Sequence, residues 1–561
     1  MREQPDPRHP WLRFYEPGVP HTLTYPEIPV PALLEATAAR VGEAPATVFF
    51  GATMSYRTLE TLASRFAGVL QQRGLRPGSR VSVHLPNCPQ FLIAYYGILK
   101  AGGIAVPFNP LYVEREIAHQ LVDSGAEIAV TLDMFYPRIE AIRQQTQVRE
   151  VIVTGIHDHF PPHLRMLYPL KARREGHAVS VPRRPDVHRW RPLLGAASPA
   201  APVRTDPTHP AVLLYTGGTT GTPKGAVLTH RNLVANVLQT RSWYTRPRAA
   251  TDSTLAVLPF FHSYGMTSVM NYAVSLGLRL LLLPRFQIDD VLRTINRYHP
   301  TLFPAVPTIY TALVNHPNVK QFNLRSISAC ISGAAPMPVE LQAQFEALTG
   351  GRLVEGYGLT EAGPVTHTNP IFGVRKVGSI GIPIPDTDAR IMDVETGTRA
   401  VNPGELGELI IQGPQVMAGY WNNPNETAQT LRGGWLYTGD LATMDLDGYF
   451  FIVDRKKEMI ITGGLNVYPR EVEEVLYAHA AVVEAAAIAV PDAYRGEVVK
   501  AFVVLKDGAQ TTADDLIAHC RGRLAPFKVP KTIEFRTQLP KSLIGKILRR
   551  VLVEEDRAKR A

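Results

Sequence analysis

The sequence predicts an α/β protein with a large, multi-subdomain N-terminal part and a small α/β C-terminal domain. Three observations predict it. Helical and strand periodicities alternate over the first part of the chain, as expected of parallel α/β layers. Lysine usage jumps near residue 454, where five of fourteen lysines lie before and nine after. A fresh α/β pattern begins at the same place. The expected division is therefore 1–453 and 454–561.

The elements follow in order. Leu59, Leu62, Phe66 and Leu70 recur at helical spacing, and Gly74 stops that helix. Residues 81–85 read as a strand, 91–100 as a helix ended by Gly102 and Gly103, and 104–107 as another strand. Residues 155–205 are rich in His, Arg and Pro with little periodicity, so a surface excursion is expected there. Residues 326–331 read as a strand with a tight turn after it. Beyond the boundary, Pro469 can open a helix. Glu471, Glu473 and Glu474 sit in its first turn, and Val472, Val475 and Leu476 give its apolar face. Residues 482–490 and 498–504 read as strands, and Thr512 with Asp515 as the start of a last helix. There is no internal repeat.

Composition narrows the function. The chain has 561 residues, 45% apolar and 19% charged, with a mean hydropathy of −0.04. That excludes global disorder and a peptide-sized fold. No apolar run approaches the ~20 residues of a membrane span. The net charge of +9 suits anionic ligands such as nucleotides, coenzyme A or lipid head groups. No motif of a nucleic-acid binder is present, so none is expected as a partner. Cys88, Cys330 and Cys520 are far apart, with neither disulfide nor zinc spacing, which points to a reducing compartment. The polar, proline-rich start carries no apolar core of a secretory signal. A cytoplasmic location is expected.

The strongest local signal is Tyr215-Thr-Gly-Gly-Thr-Thr-Gly-Thr-Pro-Lys-Gly225, a loop leaving an apolar strand. Gly217, Gly218 and Gly221 let the backbone approach a phosphate. Thr216, Thr219, Thr220 and Thr222 add hydroxyls, and Lys224 a point charge. No glycine precedes the lysine and no Ser or Thr follows it, so this is not a Walker A loop. Within Tyr357-Gly-Leu-Thr-Glu361 lie an aromatic face, a hydroxyl and a carboxylate, and magnesium prefers such a carboxylate together with phosphate oxygens. Lys546, between Gly545 and Ile547, could bridge two anions and neutralise the charge that builds between them.

Residues 215–225 resemble the phosphate-binding loop of the adenylate-forming superfamily of acyl-CoA synthetases, luciferases and peptide-synthetase adenylation domains. Further resemblances follow in that superfamily's order at residues 333–336, 355–361, 435–440, 454–457 with Gly463 and Gly464, and 540–546. Segments 85–90, 415–421, 453–457 and 545–550 most resemble bacterial long-chain fatty-acid–CoA ligases. The resemblance implies an adenylation domain followed by a mobile small domain, with the active site in the cleft between them. It places Tyr357 against adenine, with Gly333, Ala334, Ala335, Glu355, Gly356 and Gly358 in the nucleotide wall. It places Thr360 on the α-phosphate, Glu361 and Thr216 at Mg²⁺, Asp440 on the ribose with Arg455 assisting, and Ile452 nearby. His262 falls at the acyl carboxylate, Lys546 at the reacting centre, Lys457 at the hinge, and Gly463, Gly464 and Leu465 on the coenzyme A channel.

The implied reaction joins a fatty acid to ATP, giving acyl-AMP and pyrophosphate, and then passes the acyl group to coenzyme A. An aryl- or 4-coumarate-type CoA ligase shares every nucleotide motif, and a fatty acyl-AMP ligase would stop at the adenylate. A nucleotide-binding scaffold without activity is opposed by Glu361, Asp440 and Lys546. Homodimerisation and peripheral contact with the inner face of the membrane are compatible with the resemblance. Met266, Val269 and Met270 after His262 are expected at the acyl chain. Some long-chain members carry a tryptophan gate where Met266 stands, a departure that argues against a gated tunnel.

Overall fold

The computed structural model describes residues 8–176, 178–216, 223–492, 494–542 and 545–560. Residues 217–222, the centre of the expected phosphate loop (Gly217, Gly218, Thr219, Thr220, Gly221 and Thr222), lie outside these.

An eight-stranded sheet is the first layer. Its strands run in the order Gly419–Tyr420, Lys224–Thr229, Pro210–Thr216, Ile104–Pro107, Arg80–His84, Ile128–Leu132, Glu150–Thr154 and Val187–Arg189. From Pro210–Thr216 to Val187–Arg189 the neighbours pair in parallel, as helical crossovers require. The helix Tyr56–Gln72 buries Leu59, Phe66 and Leu70, the expected stripe, and Pro89–Lys100 is buried nearly throughout. A helix covered all round reads as uniformly apolar, which is why its sequence shows little periodicity.

The 155–205 segment departs from expectation. It forms the helices Pro162–Arg174 and Trp190–Ala196 and the strand Val187–Arg189, which pairs with Glu150–Thr154 and closes the sheet edge. Trp190 is buried against Phe66. The helix Pro162–Arg174 and the stretches 182–185 and 195–205 are largely exposed, as expected of a surface excursion, and their polar, irregular composition masked the short edge strand among them.

Two four-stranded sheets make the second layer, Ser253–Ala256, Arg279–Leu282, Pro45–Phe49, Ala52–Ser55 and Ala329–Ser332, Arg352–Gly358, Val365–Thr368, Ile382–Pro383. Bridges Thr254–Leu302 and Leu302–Ala329 join them. A mostly antiparallel sheet ends with Trp435–Met444 paired to Phe450–Arg455. One continuous core runs from Trp11 to Phe450.

A separate sheet follows, in the order Leu465–Val467, Ile460–Thr462, Gly496–Leu505, Val482–Asp492, with Thr532–Phe535 beside Gly496–Leu505. Its strands alternate strictly. Ala485, Ala487, Val499 and Ala501 share a core with Val472, Leu476, Leu516 and Cys520 of the helices Pro469–Tyr477 and Ala513–Arg521. Ala486, Ile488, Val490 and Phe502 face the other way, onto Leu552 of Arg549–Arg560. The period of two sends successive side chains to opposite faces. Thr512 caps its helix as expected, accepting from Asp515 N. That helix is not the last, because Arg549–Arg560 covers the second face; its run of charged residues hid its single deeply buried leucine.

The three cysteines are free and buried. Among the described residues no helix is long and apolar enough to cross a membrane.

Candidate active site

The parallel strands Ala329–Ser332 and Arg352–Gly358 end side by side, with Ser332 opposite Glu355. Beyond the carboxyl ends of such strands lies the crevice where α/β sheets take ligands. A cavity of about 1200 Å³ opens there. Thr216, His262, Gly333, Ala334, Gly356, Tyr357, Gly358, Thr360, Glu361, Arg455 and Lys546 all line it. Eleven of the residues expected from sequence are thus brought to one place from six distant stretches of chain.

The wall is fixed by its own hydrogen bonds. Tyr357 Oη donates to Asp440 Oδ2, and Arg455 Nε lies 3.1 Å from Asp440 Oδ1. Asp440 and Arg455 are direct partners across their antiparallel strands, so strand register sets this pair. Asp440 itself stands behind Tyr357 and Arg455 rather than on the cavity surface. Glu361 Oε1 accepts from Tyr420 Oη at 2.9 Å and from Thr216 Oγ1 at 3.3 Å. One carboxylate and two hydroxyls are hard oxygen donors that suit Mg²⁺ when phosphate oxygens complete its shell. No group of three or more acidic, His or Cys side chains among the described residues could hold a metal alone. Gly333 lets the ring of Tyr264 approach; a Cβ there would stand 3.0 Å from it.

Other expected residues stand apart from the cavity wall. Ala335 and Ile452 do not line it; the carbonyl of Ile452 accepts from Arg470. Glu355 turns into the interior, where Oε2 accepts from Met337 N at 3.2 Å, and burial raises its carboxyl to about 7. It braces the segment after Gly333 instead of meeting a ligand. Lys224 pairs with Glu426. Gly463 and Gly464 form an exposed turn with φ of +59° and +82°, and Leu465 beside them is half exposed. None of the three touches the cavity.

Lys546 arrives from the small domain on a hairpin. Ser542 N donates to Lys546 O, and Lys546 N to Ser542 Oγ. Gly545 carries φ of +74°, and a Cβ there would meet Thr308 Oγ1 at 2.3 Å. Only glycine suits both demands, so this turn seats the hairpin on the first turn of the helix Pro307–Val314. Burial, then the charge of Arg455, lowers the Lys546 ammonium to about 8. Burial and the nearby Lys546 lower His262 to about 4, which keeps its imidazole neutral near pH 7. Behind the lysine, Arg549 pairs with Glu473 at 2.7 Å and with Glu458.

Lys457 is exposed in the turn between the strands Phe450–Arg455 and Ile460–Thr462. Its neighbours are held from opposite sides. Lys456 Nζ reaches Glu408 at 3.0 Å, in the large body, while Glu458 pairs with Arg549 of the last helix.

The cavity continues past His262 along one face of the segment Tyr264–Leu276, a π-helical stretch Tyr264–Asn271 running into Tyr272–Leu276. Tyr264, Ser268 and Tyr272, four apart, line it with Trp243, Leu302, Ile371 and Ile384. Met266, Val269 and Met270 do not; they are fully buried in the core on the other side of that segment. The expectation that they meet the acyl chain is corrected by this phase. The spacing Tyr264, Ser268, Tyr272 was the signal available in the sequence, and the more apolar residues drew attention from it.

Comparison with known proteins agrees with this architecture. The family model described as AMP-binding enzyme matches residues 34–421, and that described as AMP-binding enzyme C-terminal domain matches 471–546. A long-chain-fatty-acid–CoA ligase of Bacillus subtilis is 48% identical over 550 residues, covering 98% of both chains. ATP-bound MatB from Rhodopseudomonas palustris is 31% identical with a TM-score of 0.82, over 94% of this chain and 99% of that one. The anthranilate CoA ligase AuaEII in complex with anthranoyl-AMP is 27% identical with a TM-score of 0.84, over 96% and 98%.

Proposed function

Because this chain belongs to the AMP-binding enzyme family, we propose that it is an ATP-dependent, AMP-forming CoA ligase for long- and medium-chain fatty acids. The observation that carries this is one continuous cavity holding the Tyr357 wall, the Lys546 ammonium and, beyond His262, a largely apolar branch. The curated relative of Bacillus subtilis supports the choice of acid.

In the first step a fatty carboxylate oxygen attacks the α-phosphorus of ATP and pyrophosphate leaves. Lys546 lies between the two anions and offsets their repulsion and the charge of the transition state. Neutral His262 orients the carboxylate without adding charge, and Thr360 meets the α-phosphate. Arg455 faces the ribose, with Asp440 behind it and free to accept the ribose hydroxyls only once Tyr357 or Arg455 gives way; Tyr357 takes the adenine, and residues 216–224 the phosphates. Glu361 and Thr216 would hold Mg²⁺, which neutralises phosphate charge when bound. In the second step the coenzyme A sulfur attacks the acyl carbon and AMP leaves. Gly463, Gly464 and Leu465 are exposed in the present arrangement, so this step needs a rotation of the small domain. The pivot is Lys457, close to the 453/454 boundary, although the strand Phe450–Arg455 stays paired with the large body.

The enzyme would work in the cytoplasm against the inner membrane face. Exposed Met166, Leu167 and Leu170 beside Arg165 and Lys171 on the helix Pro162–Arg174 support that contact.

The test is kcat/KM for acetate, octanoate, palmitate and 4-coumarate under one set of conditions. Each buried methylene contributes up to ~0.8 kcal/mol, so octanoate should exceed acetate by roughly two orders of magnitude after chain-ordering costs. If acetate or 4-coumarate is best, the fatty-acid assignment is wrong. Fatty-acid-dependent pyrophosphate release with no AMP release when coenzyme A is added would mark an acyl-AMP ligase.

A further inference from the structure

Two hydroxyls stand unpartnered in the wall of the acyl branch. Ser268 Oγ and Tyr272 Oη are buried, with no hydrogen-bond partner in the protein. Both residues are more than nine-tenths covered, and both line the cavity. They are four apart on one helical segment, so they present themselves on the same face. Thr240 also lines this stretch, but its hydroxyl already donates to Asn236 O. Buried polar groups are almost always paired, and a tunnel meant only for methylenes would place Ala and Phe here at no cost in volume.

Their depth is set by the same helical segment. It begins at the reacting centre, where Ser263 Oγ lies 3.2 Å from Thr360 Oγ1. Ser268 and Tyr272 follow five and nine residues later, on successive turns of the segment. Tyr264, Ser268 and Tyr272 all face the cavity, so it runs beside the segment over those turns. A carboxylate at the Lys546 end would bring the middle of a long chain past both hydroxyls.

We propose that Ser268 and Tyr272 form a polar subsite for acyl chains that carry a hydroxyl near mid-chain. This rests on the fatty-acid reading and narrows it. Each side chain can donate or accept, so a substrate hydroxyl inserted between them gives to one and receives from the other. A plain chain passes the same point with the two hydroxyls unpaired or meeting water.

The experiment compares kcat/KM for palmitate with that for palmitate bearing one hydroxyl beside the carboxylate, at mid-chain, or at the ω-carbon. Wild type should use the mid-chain hydroxy acid at least as well as palmitate and discriminate against the hydroxyl beside the carboxylate. In the double variant Ser268→Ala with Tyr272→Phe, the mid-chain hydroxy acid should fall by on the order of a hundredfold, the penalty for a hydroxyl against an apolar wall. The readout is the ratio of the two kcat/KM values in the variant against that in wild type, and an unchanged Tm shows that the variant folds. Equal use of all hydroxy isomers, rejection of the mid-chain isomer by wild type, or parallel loss of both substrates in the variant overturns the subsite. Absence of palmitate turnover in wild type, with an aromatic acid preferred, overturns the fatty-acid reading as well.

Discussion

The two sides of the cavity are built on opposite plans. On the large side Tyr357, Asp440, Arg455 and Glu361 are wired to one another or to Tyr420 and Thr216, with strand register fixing the spacing. On the small side Lys546 Nζ makes no ion pair or hydrogen bond among the described residues. Its hairpin rests on the large body where Gly545 meets Thr308. A preorganised wall suits binding and orientation, and on the proposed reaction it would serve both half-reactions. A single unpaired cation carried on a loop of the small domain suits the proposal that it serves one step and is then withdrawn. The difference teaches that binding and first-step catalysis reside in separable pieces of the chain.

The sharpest way to break this comparison is Lys546→Ala. Fatty-acid-dependent pyrophosphate exchange should fall by roughly 10³-fold, at the upper end for loss of one charge-stabilising donor. Conversion of supplied acyl-AMP to acyl-CoA should persist; equal loss in the two assays would show that the lysine serves both steps.

Next comes Lys457→Pro, which removes the free φ of the turn. Pyrophosphate exchange should stay near wild type while acyl-CoA formation from acyl-AMP drops on the order of a hundredfold. Overall turnover at the wild-type rate would place the pivot elsewhere.

Gly545→Ala tests the seating itself. Positive φ and the clash with Thr308 should shift the hairpin and lower pyrophosphate exchange by on the order of tenfold through misplacement of Lys546. Pairing it with Thr308→Ala relieves the clash alone, so partial recovery is expected. A Gly545→Ala enzyme with unchanged exchange would show that the seat is unimportant.

The smallest effect is on pH. With the Lys546 ammonium lowered to about 8, its charge is lost on raising the pH through that value. The first-step kcat/KM, which reports the free enzyme, should halve near pH 8 and continue to fall above it. His262, lowered to about 4, should add no break between about pH 5.5 and 7.5, although an ordinary His titrates there. A break near pH 6.5 that vanishes in His262→Ala would contradict its neutral state.

Gly333, Thr360 and Glu361 of the cavity wall were legible because their motifs sit just after strand ends, where residue type is dictated locally. Two helix starts were legible for the same reason: Pro469 opens one and Thr512 caps another. What escaped was set by three-dimensional phase and by partners distant in sequence. Ser268 and Tyr272 needed the rotation of their helix, and Met266 misled because its burial in the core leaves the same apolar mark as a tunnel wall. Thr308 under Gly545, and Arg549 between Glu458 and Glu473, join positions far apart in the chain. The strand Val187–Arg189 is too short to show a period.

The lowered ammonium of Lys546 also works as a clock. Placing that charge in the cleft costs about 3 kcal/mol relative to water, from a shift of 10.5 to about 8 at 1.36 kcal/mol per unit. While phosphate anions fill the cleft the cost is repaid by attraction. When pyrophosphate departs, much of the attraction would go with it and leave the charge less compensated. The docked arrangement then becomes the less comfortable one at the moment when its task is finished. On the proposed two-step reaction, product departure would thereby favour the swing of the small domain.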